Sequence, residues 1–257
     1  MEPVRAPVPI RCLALALALL AAGTACTGQP PARPGEAASG SPVPTAPADA
    51  WGRLAARVAA AQDKRYVAGY TLTTTGRAPR LVTVTVALDG SWLVSIPGGA
   101  LGGTIDVAVA DSTAGLFQCA VSGASPGCVR VAGTDGRLPA RLDPRVQHLF
   151  TDWLGVLTDR QVAISVDVAA ALPGSHGQCF SIEPSSASLA APVDAGIYCY
   201  DADGTLTAAA LGLGTLVLAG TPTAPPPTAA LPGPVVPRDP LPVAGTPPAS
   251  PSAVPSH

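Results

Sequence analysis

The feature that most constrains the fold is an alternation of apolar with small or polar residues through the middle of the chain. From residue 82 to residue 88 every second position is Val or Leu, and Thr or Ala stands between them. Asp89-Gly90 follows, a dipeptide typical of two-residue hairpin turns, and residues 92–96 resume the alternation. A period of two predicts strands that bury one face, and short turns between them predict antiparallel pairing.

The same pattern recurs along the chain and predicts an antiparallel meander of about ten short strands. Asp203-Gly204 marks a second hairpin turn. The segments with strand character are 66–72, 82–88, 92–96, 105–109, 115–121, 128–132, 162–168, 179–182, 196–200, 206–210 and 215–218.

Two segments have helical periodicity instead. Residues 50–62 follow Asp49, a good N-cap residue. Residues 144–157 follow Asp143, a second cap, and begin with Pro144, which suits the first helical position. The apolar stripe of this second helix is formed by Val146, Leu149, Phe150, Trp153, Leu154 and Leu157. Because the stripe must be buried against the sheet, we predict an α+β fold in which a curved antiparallel sheet wraps around one or two helices.

The N-terminus has the three parts of an export signal. Arg5 and Arg11 precede an apolar stretch over residues 12–22, and small residues then lead to Cys26. The stretch is shorter than the about 20 apolar residues that cross a bilayer. A cysteine at this position resembles the lipobox of bacterial lipoproteins, in which the thiol receives a diacylglyceryl group. We therefore predict a signal peptide over residues 1–25 and a lipid anchor on Cys26.

Ordinary secretion is the alternative, because Gly23 stands where a lipobox usually carries Leu. The cysteine count favours lipidation. Four cysteines follow Cys26, an even set suited to disulfides, and plain secretion would leave Cys26 as an odd, exposed thiol. The predicted location is the outer face of the cytoplasmic membrane, with secretion as the alternative. Abundant Ala, Gly and Pro with a single Lys is typical of a high-GC genome, such as that of an actinobacterium.

Export also sets the chemistry of the later cysteines. An oxidising compartment favours disulfides, and sequence proximity favours the pairs Cys119–Cys128 and Cys179–Cys199, although four cysteines allow three connectivities. Zinc is the alternative, but the sequence has no Cys-x-x-Cys pair and its histidines stand in no ligand cluster. We expect no metal and no cofactor.

Low-complexity segments flank the part that is expected to fold. Residues 26–48 and 221–257 are rich in Pro, Gly, Ser and Ala without apolar periodicity, so we predict a disordered tether and a disordered C-terminal tail. Residues 49–220 between them have the length of one domain. The net charge is −2 and no basic patch exists, which argues against nucleic-acid binding.

No catalytic constellation stands out. Residues 201–204 resemble the start of a calcium loop, but the next residues supply no carboxylate, so a hairpin turn is the better interpretation. Ser175-His176 lies in a Gly-rich loop without the partners of a nucleophilic site. His148 falls on the polar face of the predicted helix, as a solvated histidine does. We therefore predict no catalytic residue and no enzyme activity.

The order of elements over residues 50–220 resembles that of the LolA-type carriers and the mycobacterial LppX/LprG lipoproteins. Weak motifs that carry the resemblance are Leu-Phe-Thr-Asp-Trp-Leu at 149–154 and Gly-Ile-Tyr-Cys-Tyr at 196–200. The resemblance implies an open half-barrel around helices, an apolar cavity that holds acyl chains, and lipid binding without catalysis. The chain departs from that family in its Pro-rich tail and in its two predicted disulfides, which would stiffen the fold.

The inner face of the predicted sheet must be filled either by side chains or by a ligand. Because Ala is abundant and only three Phe and three Trp are available as bulky filler, an apolar cavity and a thinner, closed core both remain open. The residues predicted to line a cavity are Val82, Val84, Val86, Trp92, Val94, Ile105, Val107, Leu149, Phe150, Trp153, Leu157 and Val166.

These observations predict an anchored envelope lipoprotein that binds or carries a lipid, a lipidated molecule or another apolar ligand. Its partners are then the membrane, through the lipid on Cys26, and that ligand. The alternative is an anchored surface adaptor that acts through contacts with an envelope protein and has no lipid cavity. In that case the Pro-rich tail would dock the partner, with a reach on the order of 115 Å at about 3.1 Å per residue.

Overall fold

A single antiparallel sheet organises the part of the chain that the structure, a computed structural model, describes: residues 49–134, 136–185 and 191–244. The predicted signal peptide, Cys26 and the predicted tether lie outside the described residues. The helices are Ala50–Asp63 (α1) and Asp152–Thr158 (α2). The strands are Tyr66–Thr73 (β1), Arg80–Val86 (β2), Trp92–Ala100 (β3), Ile105–Ser112 (β4), Gly115–Ala120 (β5), Gly127–Ala132 (β6), Ile164–Ala169 (β7), Gln178–Pro184 (β8), Gly196–Tyr200 (β9), Leu206–Leu211 (β10) and Gly214–Thr223 (β11).

The sheet is open, and the first and last strands of the chain lie side by side in its middle. Its spatial order is β6-β5-β4-β3-β2-β1-β11-β10-β9-β8-β7, and every pairing is antiparallel. Consecutive strands therefore pair in every case except β6 and β7, which lie at the two edges, and β1 pairs with β11 to join the two halves. The prediction of an antiparallel sheet with helices is confirmed, with eleven strands where about ten were expected.

One face of the sheet forms the main core with both helices. Period-two alternation places one set of strand residues on this face, and α1 adds Leu54 and Val58, both completely buried. Aromatic rings fill much of the remaining space. Tyr70, Tyr198 and Tyr200 are at most 1% exposed, and the Tyr70 ring lies 4.9 Å from that of Phe150, centroid to centroid. Tyrosines thus supply bulky filler that a count of Phe and Trp alone misses.

The predicted helix over residues 144–157 is wrong as a continuous element. The chain forms a 3₁₀ turn at Val146–Phe150 and then α2. Asp143 does accept a hydrogen bond from the backbone N–H of Arg145 (2.8 Å), as a cap would, but Arg145 adopts a left-handed backbone conformation with φ 67°. Thr151 breaks the helical path again with φ −132° and ψ −112°. All six apolar residues of the predicted stripe are nevertheless buried, so burial was predicted correctly and continuity was not.

The predicted disordered tail is wrong for residues 221–244. Strand β11 continues to Thr223, and residues 224–244, here called the strap, are hydrogen-bonded to the first half of the sheet. The carbonyls of Pro226 and Pro227 accept from the turn after β2 (3.0 and 3.1 Å), and the carbonyl of Pro242 accepts from Leu101 (2.9 Å). Proline lacks an N–H but keeps its acceptor, so a Pro-rich segment can bind donors of a sheet without being a strand. Residues 245–257 lie outside the described residues.

The strap also covers an edge of the sheet. Cys128 in the edge strand β6 donates its N–H to the Pro234 carbonyl and accepts from the Val236 N–H, both at 2.8 Å. These two bonds satisfy groups that an exposed edge would leave open to other chains. The buried amide of Gln118 holds the next part of the strap, because it donates to the Leu241 carbonyl (2.8 Å) and accepts from the Leu241 N–H (2.7 Å).

Two disulfides link neighbouring strands, and the predicted pairing is confirmed. Cys119–Cys128 joins β5 to β6, and Cys179–Cys199 joins β8 to β9. Because all four thiols are consumed in these bonds, the zinc alternative is wrong. Each pair belongs to a small apolar cluster apart from the main core, and Leu231 of the strap packs on the first. The disulfides therefore stabilise the outer face of the sheet.

The hairpin between β9 and β10 packs on the end of α1. Gly204 has φ 85°, and a Cβ there would lie 2.3 Å from the backbone nitrogen of Ala61, so only glycine fits this approach. Lys64 donates to Asp203 at 2.5 Å and lowers the pKa of that carboxyl to about 2. The hairpin interpretation of residues 201–204 is thus confirmed.

The contacts of the strap lead to a test by truncation. A chain that ends after Thr223 leaves the buried Gln118 amide without its strap partners and exposes the apolar surface under the strap. We expect its free energy of unfolding to fall by about 2–5 kcal/mol in urea titration. A chain that ends after residue 244 is the matched control and should unfold like the full-length protein. Equal midpoints for both truncations would show that the strap contacts contribute nothing.

Candidate functional site

A cleft of about 710 Å³ lies at the β3–β5 side of the sheet. The sheet forms one wall, and the connection between β6 and α2 forms most of the other. This volume lies within the range of small-ligand sites, about 300–1,000 Å³. The cleft is lined by Trp92, Val109, Asp111, Leu116, Gly136, Arg137, Leu138, Ala140, Asp143, Arg145, Gln147, His148, Thr151, Asp152, Trp153, Ala191 and Pro192.

Part of this lining is apolar. Val109 and Leu116 belong to β4 and β5, and Trp92 begins β3, so regular sheet structure holds all three. Trp153 comes from α2 and is only 4% exposed, with its ring edge-on to that of Tyr198 at 6.5 Å. Leu138 completes this apolar wall from the connection. Four of the five wall residues therefore lie on regular elements, which suits a preformed site.

The polar side of the cleft centres on His148. Its Nε2 lies 2.7 Å from a carboxylate oxygen of Asp143, and its Nδ1 lies 2.5 Å from one of Asp152. The side chain is 19% exposed and its ring stacks on Trp153 at 5.3 Å. An imidazole with a carboxylate at each nitrogen is held as the cation that donates to both. The prediction of a solvated histidine is wrong.

The charged form of His148 and the charged forms of Asp143 and Asp152 stabilise one another. Burial lowers the pKa of His148, but the hydrogen bonds to Asp143 and Asp152 outweigh burial and raise it to about 9. Burial likewise opposes ionisation of both aspartates, and their hydrogen bonds to His148 outweigh it, so both pKa values lie below the usual range. Gln147 donates to Asp143 (2.7 Å) and Thr151 to Asp152 (3.0 Å). The group therefore fastens the 3₁₀ turn to the start of α2.

Two arginines also face the cleft. Arg145 forms an ion pair with Asp194 and places its guanidinium 5.9 Å from the centroid of the Trp153 ring. Burial raises the pKa of Asp194 despite this pair. Arg137 takes part in no hydrogen bond or ion pair with the other residues that the structure describes. Asp111 lines the opposite side and has an interaction of its own.

A second, small cavity of about 40 Å³ lies between the end of α1 and residues 149–154. Tyr200 lines this cavity, and its hydroxyl is buried without a hydrogen-bond partner in the described structure. Burial raises the pKa of this phenol well above its ordinary value. Such a space accommodates an ordered water, which needs about 10–15 Å³, rather than an acyl chain.

The structure brings all twelve predicted cavity residues into one apolar cluster, but it does not make them the walls of one cavity. Trp92 and Trp153 line the large cleft. Val86, Leu149 and Phe150 line the small one. The remaining seven pack against other side chains, because rings such as Tyr70 and Phe180 fill the space beside them; they are Val82, Val84, Val94, Ile105, Val107, Leu157 and Val166.

The polar residues of the cleft are the part that sequence reasoning missed. His148 and Asp152 stand four residues apart, a spacing at which side chains of a helix meet, and this signal could have placed them together. Arg137 has no comparable signal because it lies in an irregular connection. Ser175 and His176 form no nucleophilic pair: the Ser175 hydroxyl donates to the Leu172 carbonyl (2.7 Å), and His176 binds Asp201 (2.8 Å).

Comparison with known proteins adds no family to this picture: no protein-family model matches the chain, and no curated protein matches it either. Among the described residues, no helix is both long and apolar enough to cross a membrane. The same residues contain no group of three or more His, Cys, Asp and Glu side chains placed to hold a metal ion.

The buried histidine predicts a pH-dependent stability. A pKa of about 9 in the folded chain, against about 6.5 when unfolded, means that His148 stabilises the fold fully below pH 6.5 and loses this effect as pH rises through 9. The contribution also falls at acid pH as Asp143 and Asp152 become protonated. We expect His148→Gln to lower the free energy of unfolding by on the order of 3 kcal/mol at pH 6, and far less at pH 9.5.

Urea titrations of wild type and variant at several pH values measure this difference. His176→Gln is the matched control, since His176 pairs with Asp201 but is 59% exposed; exposed pairs contribute about 0–1 kcal/mol. A His148→Gln deficit that stays constant from pH 6 to 9.5 would contradict the assignment of a buried imidazolium.

Proposed function

We propose that the chain is an exported lipoprotein, anchored by a lipid on Cys26 at the outer face of the cytoplasmic membrane, whose folded domain binds a lipid or another apolar ligand. The observation that carries the proposal is the cleft of about 710 Å³ with an apolar wall on one side and charged groups on the other. Ligand sites in proteins are concave, largely apolar and marked by a few placed polar groups. The cleft is concave and has placed polar groups, and about half of its lining is apolar.

In this proposal the sheet acts as a half-barrel and the ligand sits at its β3–β5 side. The middle of the core is closed to a ligand, because tyrosine rings and helix residues fill it. The apolar wall, by contrast, reaches from the three strands to Trp153 and is continuous with the cleft. A carrier of this kind would hold a chain along the rim of the core instead of deep under a helix.

The proposed activity is non-catalytic. His148 would be the natural general base of the cleft, but both of its nitrogens donate to carboxylates, so neither has a lone pair to accept a proton. Both carboxylate oxygens of Asp143 and the Oδ1 of Asp152 in turn accept hydrogen bonds from donors within the same group. Binding requires none of these groups to change protonation state.

The strap favours this proposal over an adaptor that docks its partner through a free Pro-rich tail. Residues 224–244 are hydrogen-bonded to the rest of the domain at both ends: the Pro226 carbonyl accepts from Leu88, and Val243 bonds to Gly102 and Arg141. The described part of the segment is therefore part of the domain and has no long reach of its own. An adaptor would have to use another surface or the residues beyond 244.

Filling the cleft should abolish ligand retention. Leu138→Trp adds an indole beside the apolar wall, and we expect lipid to co-purify with wild-type protein from its own host and to be reduced at least tenfold in the variant. Native mass spectrometry, with lipid extraction of the same samples, measures both. Leu88→Trp is the matched control, because Leu88 is 63% exposed and does not line the cleft. Wild-type protein free of lipid in every preparation would contradict the proposal.

Anchoring is tested separately from ligand binding. Cys26→Ser removes the thiol that would carry the lipid, so we expect the protein to move from the membrane fraction to the medium or the soluble envelope fraction. Cys12→Ser is the control, because Cys12 lies inside the predicted signal peptide. Fractionation with immunoblotting gives the result. Membrane retention of the Cys26→Ser protein would exclude the anchor and leave the ligand-binding proposal standing.

A further inference from the structure

We propose that the strap controls a redox reaction: it shields the Cys119–Cys128 disulfide from dithiols, and this bond is reduced only when the strap has left the sheet. The inference goes beyond the proposed function and is independent of it, because it concerns the outer face of the sheet and not the cleft. It makes the disulfide a site of reversible modification and the strap the element that decides when this site reacts.

The disulfide is completely buried, and the strap supplies its cover. Both cysteines are 0% exposed. The apolar cluster around them consists of Leu93, Ala108, Phe117 and Leu231. All members of this cluster lie on strands of the sheet except Leu231, which belongs to the strap. Because thiol–disulfide exchange requires a thiolate to reach a sulfur atom, its rate depends on access, and Leu231 is the part of the cover that can move while the sheet stays folded.

The strap is attached at the disulfide itself. Cys128 donates its N–H to the Pro234 carbonyl and accepts from the Val236 N–H, both at 2.8 Å. The guanidinium group of Arg238 donates to the carbonyl of Gly127 at 2.7 Å. Cys128 is therefore one half of the disulfide and also an attachment point of the strap, so the strap cannot leave without changing the surroundings of the sulfur atoms.

Release of the strap breaks no pairing between the strands of the sheet. The strap follows β11, and none of its described residues belongs to one of the eleven strands. Its contact of β type is an isolated bridge between Val235 and Cys128. Segments held in this way open at a lower free energy than the strands of a core. The strap can therefore open while the rest of the domain remains folded.

The second disulfide provides an internal comparison. Cys179 and Cys199 also lie directly opposite each other on neighbouring antiparallel strands, and the Cα–Cα distance is 3.9 Å in both disulfides. They are 3% and 0% exposed. Their cover is Leu172, which belongs to the connection between β7 and β8 and is held by a strand at each end. Loss of the strap should therefore expose the first disulfide and leave the second one covered.

The reductant in this proposal is a dithiol, either a protein of the Cys-x-x-Cys class or dithiothreitol. One of its thiolates attacks a sulfur of the disulfide, the S–S bond breaks, and the other cysteine leaves as a thiolate that takes up a proton. The second thiol of the reductant then attacks the mixed disulfide and releases the other protein thiol. The dithiol is oxidised to a disulfide, and two electrons reduce Cys119 and Cys128 to thiols.

The test measures the rate at which dithiothreitol reduces each disulfide in the folded, full-length protein at pH 8. Free thiols are alkylated at successive times, and trypsin then separates the two disulfides, because they fall in peptides 81–130 and 161–238, which mass spectrometry quantifies separately. Leu231→Ala removes part of the cover, and we expect it to accelerate reduction of Cys119–Cys128 by about threefold or more. A chain that ends after Thr223 lacks the strap and should show an acceleration of about tenfold or more.

Val235→Ala is the matched control, because Val235 lies in the same strap but is 58% exposed and outside the cluster. It should leave both rates unchanged. Leu172→Ala should give the reverse pattern and accelerate Cys179–Cys199 alone. An unchanged rate for Cys119–Cys128 in Leu231→Ala and in the truncated chain would overturn the inference. Equal acceleration of both disulfides in Leu231→Ala would also overturn it, because unfolding of the whole domain would then expose the sulfur atoms.

Discussion

The pairing of β1 with β11 is the constraint on which the rest of the structure depends. It joins strands separated by almost the whole described chain, and six residue pairs from Val67 to Thr73 hold it in register. Without it the meander would be two sheets, β1–β6 and β7–β11, each with an open central edge. The pairing also makes the core continuous, since the Tyr70 hydroxyl of the first half donates to the Leu206 carbonyl of the second at 3.0 Å.

Two long connections follow from this arrangement. Strands β6 and β7 are consecutive in the chain but lie at opposite edges of the sheet, so the connection between them must cross the sheet, and it does so on the core face with its 3₁₀ turns and α2. The strap starts from the middle of the sheet, where β11 ends, and reaches the first half at Pro226, Pro234 and Pro242. Gln118 bonds to both segments, because its amide also lies 3.4 Å from the Leu142 carbonyl. A single buried side chain thus links the two connections beside the cleft.

Sequence patterns predicted what local spacing determines and missed what distant contacts determine. The alternation between 82 and 88 and the turn at Asp89-Gly90 identify strands and their neighbours, and sequence proximity favoured the two disulfide pairs that form. The helix over 144–157 was predicted from its stripe, yet Arg145 and Thr151 leave helical geometry. Burial follows the stripe, whereas the left-handed turn at Arg145 accompanies an ion pair with Asp194, a residue 49 positions away that the local pattern does not reveal.

The Pro-rich segment is a second case in which distant contacts decide the structure, but here the composition predicted disorder where the chain is ordered. Composition predicts disorder when a segment cannot bury enough apolar surface by itself. The strap does not have to bury apolar surface by itself, because the folded sheet supplies donors for its proline carbonyls and an apolar cluster for Leu231. A low-complexity composition therefore indicates that a segment does not fold as an independent domain, but such a segment can still be ordered by packing on a folded domain.

The position of the cleft follows from an asymmetry in side-chain size along the core face. In the second half of the sheet this face carries Phe180, Tyr198 and Tyr200, and α1 packs over β7 and β9. In the first half the corresponding positions on β2–β4 are mostly valines, and the cover is an irregular connection instead of α1. Small residues under an irregular cover leave space that large rings under a helix do not, so the unfilled volume lies at β3–β5. Because the irregular connection contributes Arg137, Arg145 and His148, the same segment that leaves the space open also makes one side of it polar.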